Sequence, residues 1–154
     1  MSFIEDARNE LKRADHQIFV SLKYTRTADV LKNILERFVS CFDHVIEALL
    51  LRKEQLGEIF EIPPSPVAKV NEIRKIYQDE FLLRMMDRYI TYRKLMKSSY
   101  RAINEYRRHV AMISNIDGQE VEVNIDNISE YYQEMKEFMK YIEENYDLEF
   151  EKEQ

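Results

Sequence analysis

A chain of 154 residues with 45% apolar and 34% charged side chains has the length and balance of one soluble domain, which excludes a disordered segment and suffices to bury one core. Its formal charge of -6 weakens the case for nucleic-acid binding without excluding it, because a local basic face can still meet phosphates. The lone Cys41 excludes an internal disulfide and any multi-cysteine zinc site, and no apolar run reaches the ~18 residues of a membrane span. With Met1–Ile4 opening no secretory leader, a cytoplasmic protein without membrane partners is expected.

Two glycines and three prolines predict long helices with short connections. Ile4, Ala7, Leu11, Ala14, Ile18 and Leu22 recur at three- and four-residue steps, the spacing of one helical face, and predict a first amphipathic helix. Tyr24-Thr25-Arg26-Thr27 is the natural break, where Thr25 or Thr27 can cap a second helix over about 28–56. Leu31, Leu35, Phe38, Phe42, Val45, Leu49 and Leu56 form its stripe, widened by Ile34, Val39, Cys41, Ile46 and Leu50. A face that wide belongs to a central helix, and a fully buried Phe42 should cost ~3–5 kcal/mol on truncation to Ala. Cys41, between Phe38 and Phe42 with no basic neighbour, reads as a buried apolar residue and not a nucleophile.

The segment 62–66, Ile-Pro-Pro-Ser-Pro, predicts a stiff link, with Ser65 as cap and Pro66 in the first turn of a third helix. From Leu82 to Val110 the chain keeps a seven-residue repeat: Leu82, Tyr89, Met96, Ile103 and Val110, with Met85, Tyr92, Ser99 and Tyr106 between them. Run straight from Val67 to Val110, the third helix would span roughly 65 Å. A break near Thr91 or at Ser98-Ser99 is expected, the other option being a far half that projects to a partner subunit. Over residues 110–125, two runs flanking Asp117-Gly118 predict a small β-hairpin, because both turn residues tolerate positive φ. Asp126 or Asn127, the latter with Glu130 three residues on, should cap a last helix whose stripe is Ile128, Tyr132, Met135, Met139, Ile142 and Tyr146. From Asp117 to Gln154 there are thirteen acidic residues against three lysines, and the tail 149–154 should fray. The fold class expected is therefore all-α: one domain over 1–154, an antiparallel bundle of four to five long helices with a hairpin before the last.

Residues 82–110 hold eight basic side chains against Asp87 and Glu105. As a surface, Arg84, Arg88, Arg93, Lys97, Arg101, Arg107 and Arg108, interleaved with tyrosines, can hold phosphates and stack bases, or meet a partner protein. As structure, the tyrosines are core and the arginines pair with acids of the last helix. The histidines follow or approach acids, Asp15-His16, Asp43-His44 and Glu105 with His109, but helical phase puts His16 outside and the other two at stripe margins. Glu105 and His109 are four apart, where a di-iron bundle needs Glu-x-x-His on two helices, so no metal and no cofactor is expected.

The stretch Arg101-Ala102-Ile103-Asn104-Glu105-Tyr106-Arg107-Arg108-His109 and the helical layout resemble the HEPN superfamily of small helical bundles. Active members of that superfamily carry an Arg, then a polar residue, then a His four to six residues after the Arg. Here seven residues separate Arg101 from His109, and Asn104 stands away from the expected polar position. The resemblance implies a dimeric bundle tied to nucleotide or RNA biology. The expected function is a non-enzymatic, homodimeric interaction module that engages a protein or RNA partner through the basic third helix. The alternative is a metal-independent HEPN-like ribonuclease with Arg101 and His109 at its catalytic centre.

Overall fold

A computed structural model describes residues 2–150. Helix α1 (Phe3–His16) starts where the Ser2 hydroxyl accepts from the Glu5 N–H at 3.1 Å. It runs on through a wide π-type turn (Gln17–Ser21) and a last turn (Leu22–Tyr24). All six residues of its sequence stripe are buried, while the wide turn presents Phe19 and Val20 to solvent. Thr27 caps α2 (Ala28–Gln55) by accepting from the Val30 N–H at 3.3 Å. This helix is the centre of the molecule, buried along most of its length and packed by α1 and by every later helix. Phe42 is fully buried, with its ring 5.1 Å from Phe138, 5.4 Å from Tyr89 and 6.3 Å from Tyr92. Cys41 is enclosed beside it, and burial pushes its thiol pKa far up.

The long third helix is three separate elements. Helix α3 (Pro66–Ile76) starts at the predicted Ser65 cap. It ends at Tyr77, and Asp79 caps a new helix, α4 (Glu80–Lys97). Asp79 was not foreseen as a breakpoint; its carboxylate accepts from the Leu82 N–H at 3.1 Å, which stabilises a fresh helix start over continuation. Helix α4 stops at Ser98, the expected break, where the Ser98 hydroxyl donates back to the Leu95 carbonyl at 2.9 Å.

The chain beyond Ser98 overturns the all-α expectation. Tyr100–Ile103 forms strand β1, which pairs with β2 (Ala111–Ile116), itself paired with β3 (Gln119–Asn124), in an antiparallel sheet of order β1-β2-β3. Among the described residues about two thirds are helical, with five helices and this sheet, so the fold is predominantly helical but not all-α. The heptad misled because its later positions hold Ser99 and Tyr106, both exposed, and because Tyr100 and Ile103 suit a strand as well as a seam. Once two serines end the helix, Tyr100–Ile103 gains backbone partners only by pairing with the hairpin.

The hairpin turns at Asp117 (φ 51°) and Gly118 (φ 82°), the pair of positive φ values a two-residue turn requires. Helix α5 (Ile125–Asn145) is capped two to three residues earlier than expected, by Asn124 and not Asp126 or Asn127. Asn124 and Asn127 each accept from the other's backbone N–H, at 2.9 and 2.7 Å, and Glu130 has no part in the box. Of the tail, Leu148 is buried and Glu149 pairs with Arg8, while residues 151–154 lie outside those described. No helix among the described residues is long and apolar enough to cross a membrane.

Candidate functional site

The breaks in the third helix scatter the basic residues read as one face. On α4, Arg84 lies over the Phe81 ring at 5.1 Å, and Arg93 over the Tyr89 ring at 5.6 Å. Arg88 crosses to Glu134 of α5 at 2.8 Å, a carboxylate that outweighs the pull of burial and raises the Arg88 pKa. Lys97 is exposed at the end of the helix. Arg101 is on β1, 3.4 Å from Glu120 of β3, and Arg108 meets Asp126 at the start of α5 at 2.7 Å. Arg88 and Arg108 thus pair with the acidic last helix, and much of the charge of the segment is met internally.

Arg101 stands opposite Ile113 in the sheet, four residues along the chain from His109. At strand rise that is roughly 13 Å. Arg101 is therefore on strand β1, whereas His109 is in the loop that leads into β2. His16 and His109 are exposed and His44 is half-buried, its ring centroid 6.5 Å from that of Phe3. Among the described residues no three His, Cys, Asp or Glu side chains come together as a set of metal ligands.

The residues the structure does bring together lie where the loop between β1 and β2 crosses the start of α2. Glu105 accepts from the Ala28 N–H at 3.2 Å, and the next residue, Tyr106, donates its N–H to the Arg26 carbonyl at 2.6 Å. Two successive anchors force the backbone round sharply: Asn104 has φ 53° and Tyr106 φ 66°, both in the left-handed region. A non-glycine residue held there costs about 1–2 kcal/mol. The turn expels the Tyr106 ring, which is 75% exposed, and leaves Arg107, Arg108 and His109 on the surface. Earlier in the chain, Tyr24 is 78% exposed and Phe19 59%, the latter 6.2 Å from the Tyr132 ring of α5.

Three side-chain polar atoms are enclosed with no hydrogen-bond partner among the described residues: Arg26 Nε at this loop, Gln17 Oε1 in the wide turn after α1, and the Tyr92 hydroxyl of α4 in the core. Such orphans are rare, and each needs a reason. An exposed aromatic ring, the exposed Arg107, a left-handed loop and the orphaned Arg26 Nε therefore meet where the β1–β2 loop crosses the start of α2. Arg107, Arg108 and His109 were singled out from sequence. Phe19, Tyr24 and Arg26 were missed, because Tyr24–Thr27 reads as a mere helix break; an aromatic and a cation within a connection was the available signal.

Comparison with family models, with curated proteins and with solved structures finds no match to this chain.

Proposed function

We propose that the protein is a non-enzymatic binding module that holds single-stranded RNA across the end built from residues 24–26 and 104–109. The observation that carries this reading is the fixed display of Tyr106, 75% exposed on a left-handed backbone tied to Arg26 and followed by the exposed Arg107. Splayed bases stack on aromatic faces, and cations between those faces meet the phosphates. The acidic body confines a polyanion to this end, since the chain outside residues 82–110 carries most of its negative charge. The HEPN resemblance points to the same class of ligand.

The test is fluorescence anisotropy with a labelled oligouridylate of about 12 nucleotides, within the range one small domain covers. Affinity should fall steeply as salt rises. Tyr106→Ala should weaken binding by about 5- to 100-fold, as expected for a lost stacking platform, and Arg107→Gln should lower the salt slope by roughly one. Arg84→Gln, remote on α4, should change neither. Absence of binding at low salt, or equal loss with Arg84→Gln, overturns the reading. So does a salt-resistant dimer in light scattering that shields Tyr24 and Tyr106 from solvent quenchers, since a second copy would then cover this end. Cleavage of the oligonucleotide, lost in His109→Ala at unchanged stability, would replace it with the ribonuclease alternative.

A further inference from the structure

A second concave site lies elsewhere on the molecule, where the first turn of α3, the C-terminal half of α4 and the β2–β3 turn enclose a groove of about 540 Å³. Its volume is in the range of small-molecule sites, roughly 300–1,000 Å³. The apolar part comes from Val67, 59% exposed, with half-buried Ile90 and Ile116. The charged part comes from Arg93, Lys94 and Lys97, which with Ile90 repeat at helical spacing along one face of α4.

These cations differ in what they already hold. Lys94 is 2.7 Å from Asp117, which ties α4 to the hairpin turn and closes one side of the groove. Arg93 is steadied over the Tyr89 ring and also lines a smaller cavity of about 310 Å³ with Asp43, whose carboxylate feels its charge. Asp43 accepts from the Tyr89 hydroxyl at 2.5 Å, so part of its charge is already met there. Lys97 has no carboxylate partner among the described residues. The groove thus carries net positive charge within an acidic protein, next to an exposed apolar wall.

We propose that this groove binds a small organic anion with an apolar body, its phosphate or carboxylate head between Arg93 and Lys97 and its body against Val67, Ile90 and Ile116. The site is separate from the RNA-binding end and stands without it. Two arms of one experiment distinguish the head group: amide chemical-shift mapping of the intact protein titrated with phenyl phosphate, and separately with hexanoate. Saturable shifts at Val67, Lys97, Asn115 and Ile116 are expected from at least one probe, and the tighter probe assigns the head. Inorganic phosphate, lacking the apolar body, should bind about tenfold more weakly than phenyl phosphate. Lys97→Gln should weaken the better probe by about tenfold. Because Lys97 is exposed and unpaired, that variant should keep its fold even if Arg93→Gln, which loses the contact with Tyr89, does not. Non-saturable shifts, shifts centred on Tyr24 and Tyr106, unchanged affinity in Lys97→Gln, or inorganic phosphate matching phenyl phosphate would each overturn the proposal.

Discussion

The two ends of α5 lie roughly 30 Å apart and solve opposite problems. At its C-terminal end the Tyr141 and Tyr146 hydroxyls both donate to Asp79 Oδ2, at 2.7 and 2.5 Å, while Oδ1 accepts the Leu82 N–H. The Tyr146 ring meets Tyr77 edge-on at 5.6 Å, and the Tyr77 hydroxyl donates to the Leu49 carbonyl at 2.9 Å. One carboxylate therefore caps α4, ties down the end of α5 and joins both to the junction with α3. At the N-terminal end, Asn124 and Asn127 cap the helix, but the neighbouring loop holds two left-handed non-glycine residues beside the orphaned Arg26 Nε. The first end converts polar groups into stability. The second keeps backbone strain and an unmet hydrogen-bond donor.

The largest effects should come from the satisfied side. Phe42→Ala, at the centre of the aromatic cluster, should cost about 3–5 kcal/mol in urea unfolding. Asp79→Ala removes a helix cap and the shared acceptor of two tyrosine hydroxyls, for a loss of about 1–2 kcal/mol. Neither should alter RNA affinity at temperatures where the variant stays folded. A loss below about 0.5 kcal/mol for Asp79→Ala would mean that this end is no tighter than the other, and the contrast would fall.

Acid sharpens the same comparison. Burial acts upward on the Asp79 pKa, but the donors Tyr141, Tyr146 and the Leu82 and Phe81 N–H groups outweigh it and hold the carboxyl below its ordinary value. The stability it contributes is therefore full above the unfolded-state pKa of about 3.9 and is lost as pH falls through the lower, folded value. The gap in stability between the protein and Asp79→Asn should be constant near neutrality and shrink below about pH 4. Asp43 has the opposite sign, raised chiefly by burial, so the difference between protein and variant, not the raw acid transition, is the quantity to measure.

Helices α1 and α2, the Ser65 cap and the Asp117-Gly118 turn were legible in sequence because each rests on local rules: apolar spacing, capping oxygens and residues that accept positive φ. Strand β1 was not legible, because a four-residue strand is decided by its partner, and Tyr100–Ile103 also continued the seven-residue pattern. The site divided in the same way. Arg107 and His109 stood out by composition, but their setting depends on hydrogen bonds from the Ala28 N–H to Glu105 and from the Tyr106 N–H to the Arg26 carbonyl, each spanning more than seventy residues of chain. No local rule reaches that far.

The smallest expected effect is the most discriminating. Tyr106→Gly removes a side chain from a backbone at φ 66°, relieving about 1–2 kcal/mol of left-handed strain. Glycine returns part of this through the entropy of the unfolded chain, about 0.5–1 kcal/mol, so the net gain should be up to ~1 kcal/mol of stability. Because the ring is 75% exposed, little packing is lost in exchange. RNA affinity should fall as in Tyr106→Ala, whereas Tyr106→Phe should leave both stability and affinity nearly unchanged, since stacking needs the ring and not the hydroxyl. A variant that folds more tightly and binds less well shows that the strain serves the ligand. A Tyr106→Gly protein that loses stability would show instead that the ring supports the loop, and the N-terminal end of α5 would then resemble the Asp79 end after all.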